Sequence, residues 1–380
     1  MRIAFYAPLK APAHAVPSGD RRMAGMIMAA LATAGHDVTL ASQLRAYEGA
    51  GDAARQAAIR AAGVAEAEAL AQRYRSASTA GRPHAWFTYH VYHKAPDWLG
   101  PEVSDALAIP YLIAEASFAP KQANGPWAEG HARAAAAIAR ADAVLAVTRD
   151  DAACLEPLVR APERLLALAP FLDPAPFRAA RAMRAAQRAR LAADLGLDAT
   201  APWLLTVAMM RRDEKRDSYI RLAAALARIA DLDWRLVVVG DGPARDEIAA
   251  AFAATGDRVA FAGAQPADAV PGFYAAADVY AWPAVNEAYG MALLEAQAAG
   301  LPVVAGAVRG VPEVVRDGET GVLAPAGDDA FAAALRRVLG DADLRARLGE
   351  RAAANVVERH GMTTAAQTLD RALALAGAGG

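Results

Sequence analysis

Short runs rich in β-branched and aromatic residues alternate with longer, alanine-rich helical runs, and the series starts afresh near residue 201. Such alternation is the pattern of a parallel sheet, because parallel neighbours need a crossover element between them. Two series predict two α/β units. In the first, strands are expected over about 3–7, 37–42, 84–89, 110–115, 143–148 and 165–168, with helices over about 20–34, 52–75 and 127–140. The second has strands expected over about 203–208, 235–239, 259–262, 279–282, 302–305 and 321–323. Its helices are expected over about 217–230, from 244 onward, and over 328–376. Between the series, Phe177–Leu195 carries five arginines and no proline, and reads as a helical connector. The expected boundaries are a first domain 1–176, a connector 177–200, a second domain 201–362 and a final helical segment 363–380.

The totals agree with that division. At 380 residues the chain exceeds what one hydrophobic core usually serves. A composition 55% hydrophobic and 22% charged reads as globular, with much of the apolar count in alanine. The single Cys154 has no internal disulfide partner, and the opening strand reads as such rather than as a leader, so a cytoplasmic protein is expected. Arginines interrupt every alanine run, so no transmembrane segment is expected. A net charge of −2 gives no reason to expect nucleic acid. Residues 1–190 hold 22 Lys and Arg against 17 Asp and Glu, and the rest 18 against 25. That asymmetry would suit peripheral attachment to an anionic membrane, although ordinary surface arginine explains it more simply.

Ligands of open parallel sheets bind at the carboxyl ends of the strands. After the strand near 279–282 comes Pro283–Glu295, which sets Glu287 and Glu295 on either side of a small-residue turn at Gly290. A turn that opens a helix offers free N–H groups and the positive end of a dipole, which suit phosphate. Carboxylates beside an anion site make sense if they hold hydroxyls flanking a diphosphate, the layout of a nucleotide sugar.

The block from Ala276 to Pro325 resembles the E-x7-E signature region of glycosyltransferase family 4, the retaining GT-B enzymes. The resemblance extends to Arg309-Gly310-Val311-Pro312-Glu313, to Asp317–Leu323 and to the turn Val239-Gly240-Asp241-Gly242-Pro243. It implies a GT-B fold: two Rossmann-like, doubly wound parallel-sheet domains facing across a cleft, with the last helix crossing back to the first domain. It also implies transfer of a sugar, with retention, from a nucleoside-diphosphate sugar (UDP favoured, GDP possible) to an acceptor hydroxyl. The acceptor class implied is a glycan or lipid-linked glycan, in exopolysaccharide or glycolipid assembly. No permanent cofactor and no metal are implied.

Carried over by position, Glu287 would contact donor-sugar hydroxyls and Glu295 the ribose. Ala288, Tyr289, Gly290 and Met291 would lie against sugar and diphosphate, with Gly240 in the neighbouring nucleotide-binding turn. The family neutralises its leaving group with an Arg and a Lys. Lys215 matches the lysine, whereas the usual arginine falls on Met210, so Arg211 or Arg212 must substitute. Pro17-Ser18-Gly19-Asp20-Arg21 resembles a diverged glycine-rich loop in which Gly19 stands alone and would approach phosphate or acceptor; a helix-capping turn is the plainer reading. Where many members place a histidine after a first-domain strand, this chain has Glu115, which would accept hydrogen bonds from substrate hydroxyls or be a buried structural carboxylate. Trp86 and Tyr89 are expected in the core, leaving His90 and His93 as acceptor candidates.

Two other functions fit the fold class. An NAD-dependent oxidoreductase would need G-x-G-x-x-G after a first strand, and Gly240-Asp241-Gly242 lacks the third glycine. A non-catalytic nucleotide-sugar-binding subunit is disfavoured by Glu287 and Lys215 but kept open by the altered arginine loop.

Overall fold

The computed structural model describes residues 1–15 and 18–377, which divide into two units. Pro17 of the candidate glycine-rich loop and the last three residues of the tail lie outside the described residues. The first unit comprises 1–169 and 362–380 and the second 170–361.

In the first unit, β1 (Arg2–Tyr6), β2 (Asp37–Leu40), β3 (Ala85–Val91), β4 (Tyr111–Ala116), β5 (Ala143–Ala146) and β6 (Leu165–Ala167) form one parallel sheet ordered β2-β1-β3-β4-β5-β6. Its central strands are buried almost throughout, as expected of a sheet covered on both faces. Trp86 and Tyr89 belong to that core, at 0% and 2% exposure. The helices are α1 (Gly19–Thr33), α2 (Ala53–Ser76), α3 (Gly100–Leu107), α4 (Ala128–Arg140) and α5 (Arg149–Leu155). Side-chain oxygens set their starts: Ser18 accepts from the Arg21 amide, and Asp52 from Ala54 and Arg55. The third helix is absent from the sequence reading because it is short and begins Gly-Pro. Its start is fixed by Asp97, buried and accepting the Leu99 and Gly100 amides at 2.8 Å each. Cys154 is exposed on α5.

The second unit opens with α6 (Ala175–Ala182) and α7 (Arg184–Leu195). These were expected as a connector, yet they lie wholly within this unit, pack on α10 and break at Met183. Their arginines explain why. Arg184 and Arg188 clamp Asp278 at 2.7 and 2.8 Å and donate to the carbonyls of Ala275 and Ala276. The basic stretch is thereby used to hold α7 to the sheet, because Asp278 also accepts the Trp203 amide at 2.7 Å.

The remaining elements are β7 (Trp203–Val207), α8 (Glu214–Ala227), β8 (Arg235–Val239), α9 (Arg245–Ala251), β9 (Val259–Gly263), α10 (Val270–Ala276), β10 (Val279–Trp282), α11 (Met291–Ala298), β11 (Val303–Gly306), α12 (Val311–Val314), β12 (Gly321–Ala324), α13 (Asp328–Gly340) and α14 (Ala342–Arg359). The sheet, again parallel, is ordered β12-β11-β10-β7-β8-β9. The chain winds outward from β7 in both directions, so the topological switch lies between β7 and β10. The last helix, α15 (Met362–Gly377), belongs to the first unit, where it packs on α1. Among the described residues no helix is long and apolar enough to cross a membrane.

Candidate functional site

At the switch point of the second unit, the loop after β10 is fastened to the first five residues of α8 by three successive residues. The Val285 amide donates to Ser218 Oγ at 2.9 Å, and Asn286 Nδ2 to Glu214 Oε1 at 2.9 Å. Glu287 then pairs through Oε2 with Lys215 Nζ. That register exists because α8 starts earlier than expected: Asp213 caps it by accepting the Lys215 amide at 2.9 Å. Lys215 is therefore a first-turn helical residue, not a loop residue. Its pair with Glu287 is largely shielded, the side chains being 23% and 13% exposed. Trp282, the last residue of β10, donates its indole N–H to Glu287 Oε2 at 3.1 Å and lies 5.4 Å beneath the Lys215 ammonium.

Backbone strain marks the same loop. Ala284 and Asn286 have φ of +60° and +51°, a region L-residues avoid. After Gly290, α11 begins with no side chain capping its amides, so the N-terminal N–H groups around Met291 end beside the loop. Ala288 is exposed, and Tyr289, Gly290 and Met291 are half-buried. Glu295, one turn into α11, is 6% exposed and accepts the Tyr274 phenol at 2.9 Å. Burial, above all, pushes the Tyr280 phenol well up, and the charges of Tyr219, Glu287 and Glu295 push the same way.

Other expected residues take different places. Gly240 and Gly242 have φ of +137° and +153°, and a Cβ on them would stand 2.0 and 2.5 Å from the carbonyl oxygens of Ala208 and Met210. Their first role is to let the β7 and β8 loops touch, which the bond from the Met210 amide to the Asp241 carbonyl at 2.9 Å completes. Met210 is buried. Arg211 is exposed and pairs with Asp213 at 2.8 Å, whereas Arg212 turns to Glu247 on α9 at 3.1 Å.

The first unit gathers a second cluster at its own switch point, between β1 and β3. His90 on β3 and Glu115 on β4 sit opposite one another, both non-glycine residues with φ near +60° (+63° and +58°). His90 Nδ1 meets Asp20 Oδ1 at 3.1 Å and Glu115 Oε1 at 3.7 Å, and Tyr89 donates to Glu115 Oε2 at 3.0 Å. Gly19 is the first residue of α1, next to Asp20. Burial opposes charge on His90, but the Glu115 and Asp20 carboxylates outweigh it and hold the imidazole above its usual value. Asp20 is held low, first by the His90 hydrogen bond, and burial pushes Glu115 up. Asp20 was not singled out from the sequence; a first-turn Asp next to a lone glycine was the available signal. His93 stands apart, edge-on to Trp127 at 5.7 Å. Among the described residues no group of three His, Cys, Asp or Glu side chains is arranged to hold a metal ion.

Comparison with known proteins relates this geometry to others. A D-inositol 3-phosphate glycosyltransferase of Salinispora arenicola is 37% identical over 226 residues, covering 56% of this chain and 50% of the relative. The chain thus spans about half the length of that relative. The structure is similar in fold to sucrose-phosphate synthase from Thermosynechococcus elongatus, with a TM-score of 0.74 at 21% identity and full coverage of both chains. It is likewise similar to Anabaena HepE, solved in complex with UDP, with a TM-score of 0.73 at 17% identity over 98% of this chain and 100% of the other. Residues 187–355, which contain the Lys215–Glu287 pair and α11, match the family profile described as Glycosyl transferases group 1. That match, 169 of the 380 residues and all within the second unit, marks this stretch as glycosyl transferases group 1 in type.

Proposed function

We propose that the protein is a retaining glycosyltransferase that moves a sugar from a nucleoside-diphosphate donor, UDP-linked by preference, to an acceptor hydroxyl. The observation that carries this reading is the shielded Lys215–Glu287 pair, held at the switch point beside the uncapped start of α11. A cation at the start of α8, a carboxylate in the loop after β10 and the amides of an uncapped helix start are the kinds of group that a sugar diphosphate calls for. The UDP complex of HepE and the activity named for the Salinispora relative support it.

In this reading Glu287 bonds donor-sugar hydroxyls, Glu295 the ribose, and the amides of Ala288 to Met291 the diphosphate. The sugar C1–O bond to the diphosphate breaks as the acceptor oxygen attacks the same face, and the departing phosphate oxygen takes the acceptor proton. Lys215 stabilises the charge that develops on the leaving group, in place of a metal ion. Arg211 would join it by leaving Asp213, and Arg212 by leaving Glu247. In the first unit, His90 and Glu115 are candidates to bind hydroxyls, and Gly19 to let backbone approach phosphate or acceptor. An acceptor of the glycan or glycolipid class, and with it work at the cytoplasmic face of a membrane, is what the resemblance favours.

Burial of Met210 at the expected arginine position favours one second reading, a subunit that binds nucleotide sugar without turnover. Incubation with UDP-glucose and GDP-mannose, measuring released nucleoside diphosphate, separates the two. Slow release by the wild type that falls about 100-fold or more in Glu287→Gln is expected. Binding without release would favour the subunit, and neither binding nor release would refute both.

A further inference from the structure

The donor site just described has one cation already beside Glu287, Lys215, for a diphosphate that carries two negative charges. Sequence position leaves its partner vacant, because Met210 is buried with its amide and carbonyl engaged by Asp241 and Ala244. The arginines that follow are already paired: Arg211 with Asp213, Arg212 with Glu247, and Arg216 with Asp217 and Glu247. Recruiting any of them means breaking an ion pair.

Arg309 differs. It lies in the loop after β11, the strand beside β10, so both loops leave the same end of the sheet. They run in contact: Gly306 stands so close to the Pro283 carbonyl that a Cβ there would lie 2.1 Å from its oxygen. From this loop Arg309 donates through one terminal nitrogen to Asn286 Oδ1 at 3.1 Å, and Asn286 passes the contact on to Glu214. Its partner is a neutral amide, and among the described residues no carboxylate lies within ion-pair distance of its guanidinium. The residue next to Asn286 is Glu287, so an uncompensated guanidinium is tethered one residue from the Lys215 pair. Its backbone is held at φ +41°, a conformation that costs an L-residue about 1 kcal/mol. A glycine would relax there, and an exposed arginine kept under strain calls for a function of its side chain.

We infer that Arg309 supplies the second positive charge for the donor diphosphate. The inference rests on the proposed donor site. Asn286 holds the guanidinium beside the loop without neutralising it, leaving its remaining N–H groups for phosphate oxygens.

The test is calorimetric titration of UDP and of uridine into the wild type, Arg309→Gln, Arg309→Lys and Arg336→Gln. Arg309→Gln is expected to weaken UDP about 10- to 100-fold while uridine binding stays constant. Arg309→Lys should recover part of the loss, and Arg336→Gln, a control on α13 where the arginine pairs with Asp231, should bind UDP as the wild type does. If Arg309 only braced Asn286, uridine and UDP would weaken together, which would overturn the inference. Unchanged UDP affinity in Arg309→Gln with tight binding by the wild type would overturn it and leave the donor site standing. Absence of UDP binding by the wild type would remove the donor site and this inference together.

Discussion

Lys215 and Glu287 satisfy one another without ligand, and the arrangement makes their pairing a competitor of substrate. A diphosphate would draw the ammonium away, releasing the carboxylate to sugar hydroxyls as the Trp282 indole keeps it oriented. Lys215→Ala is therefore expected to do two things. It should abolish measurable nucleotide affinity and, by leaving a shielded carboxylate with the indole as its recorded donor, lower unfolding stability by about 1–3 kcal/mol. Urea denaturation reads the second effect independently of the first. In the other unit, His90 should titrate above the ordinary imidazole value of about 6.5. Its contribution to stability is complete below that ordinary value and is lost as pH rises through the raised folded value. Asp20 contributes in the opposite sense, losing its share as pH falls through its lowered value. An NMR titration should show the His90 midpoint fall in Asp20→Asn and Glu115→Gln; a midpoint indifferent to both would contradict the cluster.

Elements show why part of this was legible and part was not. Parallel strands are nearly continuous apolar runs, so β8 and β10 stand out in the sequence at their observed limits. The helical content of Phe177–Leu195 was equally plain from its composition, but its place was not. Arginine clusters usually face water, and only the fold brings Asp278, about 90 residues away, to Arg184 and Arg188. The same limit applies to the site. Glu287 came from the spacing of two carboxylates about a turn and Lys215 from the family resemblance, whereas Asp20, Asn286 and Arg309 acquire meaning from loops that meet only in space. Gly240 illustrates an overlap of roles: a residue expected beside the nucleotide proves to be needed for close backbone approach. Gly240→Ala should cost about 2 kcal/mol or more, because its Cβ meets a carbonyl and not a movable side-chain end. Asp278→Ala should be comparably damaging, since it leaves two arginines and the Trp203 amide without their acceptor. Thermal denaturation measures both.

On the scale of the whole molecule, each unit has its own sheet and core, and the groups assigned to the donor all belong to the second. Nucleotide should therefore stabilise the units unequally. UDP is expected to slow amide exchange around 208–215 and 284–293 and to leave the sheet amides of β1–β6 unchanged. Protection confined to the first unit would reverse the assignment.

The most direct test is a titration of UDP, GDP and ADP into the wild-type protein and Lys215→Ala. The account predicts saturable binding of one nucleoside diphosphate, UDP first, that disappears in the variant while its circular-dichroism spectrum is retained. Wild-type protein that binds none of the three, or binding undiminished by loss of Lys215, would contradict it.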